Sequence, residues 1–129
     1  MIKVNVNRTM GNDAPIITDR SITFLNLRSN SEKPFIIRPG EHVGIPVGLS
    51  IEIPAGYHGM IVPKDFGNEL GGLYVFGGII TPKMKGEIRV HAQNIGRFDL
   101  RINRKDLVAQ LILVPAVEIQ VQEQIKALI

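Results

Sequence analysis

Closely spaced turns constrain this chain more than any other feature of its sequence. Short runs rich in Ile, Val and Leu are cut by Pro39-Gly40, Pro54-Ala55-Gly56, Gly77-Gly78 and Thr81-Pro82-Lys83. Proline fixes φ and lacks an N–H, while glycine opens turns that other residues resist, so no long helix or central strand runs through such points. The pieces between them alternate apolar and polar residues, with little helical periodicity. Strands are predicted over Met1–Val6, within Ile16–Asn26, and over Phe35–Arg38, His42–Val47, Gly48–Ile53 and Gly59–Pro63. Further strands follow over Glu87–Asn94, Asp99–Ile102, Leu107–Val114 and Val117–Val121. Leu107–Val114 is apolar enough to be buried on both faces. One short helix is predicted around Asp65–Leu70. The pattern is that of one all-β domain, an antiparallel sandwich or barrel.

The 129 residues suffice for a single domain, 1–129, with its own core, and the sequence shows no linker, repeat or low-complexity segment. Trp is absent and aromatic residues make up only 5%, so that core must rest on Ile, Val and Leu. The absence of Cys excludes disulfides, thiolate metal sites and a Cys nucleophile, and fits an intracellular protein. No apolar run is long enough to span a bilayer, and the alternating start has no signal-peptide core. A formal charge of +3 suits a small phosphate-bearing ligand. Its scattered basic residues argue against duplex nucleic acid. His42, His58 and His91 show no metal-ligand spacing with acids, so surface or edge positions and no metal are expected.

Gly77-Gly78-Ile79-Ile80-Thr81-Pro82-Lys83-Met84-Lys85-Gly86-Glu87-Ile88 reads as two strands joined by a short turn. A glycine pair ahead of such a turn lets another strand or a flat ligand approach the main chain. The plainer alternative is a tight hairpin with no ligand.

Several ordered segments resemble the trimeric dUTPases. They are Ile37-Arg38-Pro39-Gly40, the run from Val47 through Pro54-Ala55-Gly56 to Pro63-Lys64, Gly78 to Ile88, Asn94, and Lys105-Asp106-Leu107-Val108-Ala109-Gln110-Leu111. The last is similar to a family motif usually written Gly-Asp-Arg-Ile-Ala-Gln-Leu, and the likeness extends from about Ile16 to Val121. The dCTP deaminases share that fold. The resemblance implies a distorted jelly roll, a homotrimer, and pockets where subunits meet. In such enzymes uracil pairs with hairpin backbone, Mg²⁺ holds the triphosphate, an Asp orients the attacking water, and a Gly-rich C-terminal arm closes the site.

Against that pattern the chain departs at the chemistry. Where the family carries Gly-Val-Ile-Asp-x-Asp-Tyr-Arg-Gly, this sequence has Gly78-Ile79-Ile80-Thr81-Pro82-Lys83-Met84-Lys85-Gly86. Thr81 stands at the position of the water-orienting Asp, and a neutral hydroxyl cannot serve as the general base. Met84 replaces the sugar-packing Tyr, and Lys83 replaces a second acid. Pro63-Lys64-Asp65 replaces Pro-Arg-Ser, placing a carboxylate where a hydroxyl would meet phosphate, unless Asp65 simply caps a turn. The Asp of the first motif is missing near Ser21–Leu25, and no Gly-rich arm follows Val121. Gln110 either contributes to phosphate binding or, as a buried residue, ties neighbouring backbones together.

The expectation from these losses is a dUTPase-fold protein without hydrolase activity. It would bind a nucleotide or a protein partner in a regulatory or sequestering role of the viral kind, with no catalytic residue and no cofactor. The alternatives are an active dUTP diphosphatase using Mg²⁺, with Asp65 or Glu87 as base, and a structural trimer subunit. If a ligand binds, Phe76, Gly78, Ile80, Met84 and the rest of the Phe76–Lys85 loop meet its base or partner. Lys64, Lys83, Lys85 and Gln110, with Asp65 beside them, then handle phosphates; the plainer alternative is that the three lysines are solvated surface.

Overall fold

A computed structural model describes residues 1–9, 22–63 and 71–127. The predicted Asp65–Leu70 helix, Lys64, Asp65 and the first part of the Ile16–Asn26 stretch lie outside the described residues. Among the described residues there are eleven strands and no helix. The strands are β1 (Asn5–Arg8), β2 (Leu25–Arg28), β3 (Phe35–Ile37), β4 (His42–Pro46), β5 (Leu49–Glu52) and β6 (Tyr57–Val62). They continue with β7 (Leu73–Val75), β8 (Gly78–Ile80), β9 (Arg89–Asn94), β10 (Leu100–Ile102) and β11 (Leu107–Pro115).

Every pairing is antiparallel. Four strands form one sheet in the order β2-β11-β6-β8, and three form another in the order β4-β9-β7. Two-stranded ladders β1-β5 and β10-β3 complete the fold. The all-β expectation therefore holds. Alternation sets the layers: along β9, Val90, Ala92 and Asn94 turn inward while Arg89 and His91 face out. Leu27, Ile37, Ile45, Val90 and Ile102 are fully buried, giving the aliphatic core that the lack of Trp requires. No buried side-chain polar atom among the described residues lacks a hydrogen-bond partner.

Three expectations are corrected. The stretch from Gly77 to Ile88 is not a hairpin of two mutually paired strands. β8 pairs with β6, Ile80 opposite Gly59, whereas β9 pairs with β4 and β7. Residues 81–88 thus cross between sheets. Ile80 and Ile88 are both buried, and each anchors one end of the crossing, with Ile88 N–H donating to the Leu49 carbonyl at 2.8 Å. Gly86, at φ +104°, supplies the change of direction. Second, Val117–Val121 forms no strand: Val117, Ile119 and Val121 are more than four-fifths exposed. Alternation equips a segment for a sheet, but a ladder also needs a neighbour's backbone. Third, β11 is central, yet its burial on both faces extends only through Leu111, with Ile112 to Val114 half-buried.

Candidate functional site

The crossing between the sheets borders a cleft of about 610 Å³. The end of β7 and the start of β8 bring Phe76, Gly77, Gly78, Ile79 and Ile80 to it. Met84, Lys85, Gly86 and Glu87 come from the crossing segment, Arg89 and His91 from β9, and His42 from β4. Five of the expected ligand residues, Phe76, Gly78, Ile80, Met84 and Lys85, therefore meet on one cleft. Thr81 sits beside it, half-buried, in a turn closed by the Met84 N–H donating to the Thr81 carbonyl at 3.1 Å. In return the Thr81 N–H reaches the Met84 sulfur at 3.4 Å. That contact holds the thioether over the turn. Lys83 is exposed at the tip of the turn, outside the cleft lining.

Gly78 is the informative glycine. A Cβ built there would meet nothing within 4 Å, and its φ is not positive. Neither backbone conformation nor packing within the chain demands glycine at this place. The open main chain instead suits the close approach of a flat ligand.

The charges are mixed. Lys85 and Arg89 bring cations to the cleft, and Arg89 Nη1 donates to the Gly44 carbonyl at 3.3 Å. Glu87 is the carboxylate among the described lining residues. The Thr9 hydroxyl, just past β1, donates to its Oε1 at 2.6 Å. Gln110 lies elsewhere, on β11, where its Nε2 donates to Asn26 Oδ1 at 3.1 Å across the ladder to β2. It ties side chain to side chain rather than to a backbone group. Among the described residues no group of three or more His, Cys, Asp or Glu could hold a metal ion.

Sequence reasoning put the histidines at surface or edge positions; His42 and His91 are exposed, and they are also neighbours. The rings of His42 and His91 lie 5.5 Å apart, and His42 also meets Phe76 edge-on at 5.2 Å. Gly44, opposite His91 in the β4-β9 register, makes room for the imidazole: a Cβ there would stand 3.3 Å from His91 Cε1. The usable signal was the alternation that puts Arg89 and His91 on one face of β9. Which strands flank β9 was not readable without the topology.

Comparison with known proteins decides the lineage. The dUTPase family model matches residues 13–128. This chain belongs to the dUTPase family. It is 39% identical over 99 residues to the deoxyuridine 5'-triphosphate nucleotidohydrolase of Aquifex aeolicus, a match covering 75% of this chain and 66% of that protein. The chain thus spans slightly less than two thirds of that relative. The same enzyme of Bdellovibrio bacteriovorus is 30% identical over 121 residues, covering 92% of this chain and 81% of its own. Among solved structures, the dUTPase of phage phi11 of Staphylococcus aureus superposes with a TM-score of 0.82 at 16% identity, covering 98% of each chain. The dUTPase of Staphylococcus bacteriophage 80alpha does so at 0.79 and 16%, covering 97% of this chain and 99% of its own. These structural likenesses speak for the fold.

The expectation of a dUTPase fold emptied of its chemistry is overturned by these relatives. Proteins up to 39% identical carry the name of the nucleotidohydrolase, which favours the active-enzyme alternative. The inactive reading rested on Thr81, but a general base is defined by reach and protonation state rather than by position in a motif. A degenerate viral descent gains no support either, since the named sequence relatives are bacterial.

Proposed function

We propose that this dUTPase-family chain is a dUTP diphosphatase, converting dUTP and water to dUMP and pyrophosphate. The observation that carries the reading is the 39% identity to the Aquifex nucleotidohydrolase, and the cleft at Gly78 offers a place for the reaction. In this reading the base lies against the open backbone at Gly77-Gly78, and Met84 takes the sugar-facing place. Lys85 and Arg89 meet the phosphates from within the cleft, and Lys83, Lys64 and Gln110 are the further phosphate contacts of this reading. Water attacks the α-phosphorus, Glu87 takes its proton, and pyrophosphate leaves with the β- and γ-phosphates. Asp65 is the other carboxylate that could fill this role.

The substrate is the Mg²⁺ complex of dUTP. Magnesium keeps several waters and needs only one or two carboxylates beside substrate phosphates. A variant of the phi11 dUTPase coordinates a structural Mg(II) ion. The ion supplies charge neutralisation at the triphosphate. The chain acts as one domain within a homotrimer. The exposed alternating Val117, Ile119 and Val121 support association, because an equipped but unpaired segment suits a neighbouring copy. Its substrate places it inside the cell, and among the described residues no helix is long and apolar enough to cross a membrane.

The test is pyrophosphate release from dUTP by the purified chain with Mg²⁺, with dCTP as comparator. Steady turnover of dUTP is expected. No release of pyrophosphate at high enzyme concentration would refute the reading.

A further inference from the structure

We infer that Phe76 is the stacking surface for the nucleobase, held in place by a ring cluster built across the β4-β9-β7 sheet. The inference rests on the nucleotide reading above and adds the group that holds the base from the side.

Phe76 follows β7 directly, and its N–H donates to the His91 carbonyl at 2.9 Å, so its backbone continues the ladder to β9. Its ring is 39% exposed although it lines the cleft next to Gly77 and Gly78. Two neighbours meet it nearly at right angles: His42 at 5.2 Å and 78°, and Tyr74 at 5.1 Å and 85°. His91 extends the cluster through His42. Four rings thus gather on the outward face of one three-stranded sheet, in a chain with only five Phe and two Tyr. Edge-on ring contacts are favourable and fix orientation, so Phe76 is set in advance of any ligand.

An exposed, oriented ring in a cleft, beside main chain stripped of side chains and close to Lys85 and Arg89, matches the needs of a nucleotide. Its flat base stacks on an aromatic face, while its phosphates seek cations. Stacking is tolerant of base identity because every base has a π-face. Phe76 therefore contributes affinity, and discrimination between uracil and cytosine is left to the hydrogen-bonding edge at the open backbone.

The experiment measures dUMP and dCMP binding by calorimetry, together with dUTP kinetics, for wild type, Phe76→Ala, Phe76→Leu and Phe76→Tyr. Thermal denaturation confirms that each variant folds. Phe76→Ala should weaken dUMP binding about ten- to hundredfold and weaken dCMP by the same factor. Its KM for dUTP should rise with kcat nearly unchanged, the mark of lost uniform binding. Phe76→Tyr should restore affinity and Phe76→Leu should not. Wild-type affinity in the Ala or Leu variant, or loss confined to one base, overturns the inference while leaving the diphosphatase reading intact. Wild-type protein that binds no dUMP also overturns it. Failure of the diphosphatase reading is a separate result, the absence of pyrophosphate release by wild type.

Discussion

The side-chain amide of Asn94 donates to the carbonyl of Ile37 at 2.9 Å, joining the end of β9 to the end of β3 in the fully buried interior. The same nitrogen donates to the Phe98 carbonyl at 2.7 Å, and its Oδ1 accepts from the Gly96 N–H at 2.9 Å. One residue thereby satisfies three backbone groups where two strands and a loop converge. Removing it leaves the buried Ile37 carbonyl without its partner and breaks two part-buried bonds that order the loop. Asn94→Ala should cost about 3 kcal/mol of stability, read from the urea midpoint. A loss under about 1 kcal/mol would mean that other groups or water replace the amide.

Lys105 has φ +72°, the one left-handed non-glycine backbone among the described residues, and it stands where the related motif has Gly. Its N–H donates to Ser29 at 2.7 Å and its carbonyl accepts from Arg28 Nη1 at 3.1 Å, so the surrounding bonds hold it there. Left-handed strain of about 1–2 kcal/mol, less the extra unfolded-state entropy of glycine, leaves a net gain. Lys105→Gly should stabilise the protein by roughly 0.5–1 kcal/mol in the same denaturation assay.

Gly78 separates folding from binding. Since a Cβ there would meet nothing within 4 Å, the backbone has room for a side chain, and Gly78→Leu should change stability by no more than about 0.5 kcal/mol. The same side chain fills the space assigned to the base, so KM for dUTP should rise at least about tenfold. An unchanged KM would move the base away from this backbone.

Glu87→Gln tests the proton acceptor. The amide oxygen still accepts from the Thr9 hydroxyl, so folding is kept while basicity is lost. The expected result is a fall in kcat of about 10²–10⁴-fold with KM little altered. If kcat holds, the role passes to Asp65, and Asp65→Asn becomes the variant to measure.

The fold was legible because short-range signals carried it. The Pro39-Gly40 and Pro54-Ala55-Gly56 turns, and the inward Val90 and Ala92 of β9, follow from local chemistry and a period of two. The crossing at residues 81–88 was not legible, because a hairpin and a change of sheet begin with the same turn residues and differ only in distant partners. The site was half visible. Gly78 and Phe76 stood out beside the turn, whereas His42 and His91 meet only through the register of β4 with β9. At Thr81 the sequence shows which residue departs from the family pattern but not which other group stands near it in space.

The alternating segment past β11 has a consequence for how the protein behaves in dilute solution. Val117, Ile119, Val121 and Ile125, all at least 81% exposed, contribute almost nothing to holding a lone subunit together. Whatever these side chains add must come from contact with another molecule, and with another copy of this chain, as in the proposed homotrimer, their contribution scales with protein concentration. Thermal tolerance should therefore rise as the protein is concentrated, and shortening the chain before Val117 should abolish that dependence while leaving the β-sheet core in place.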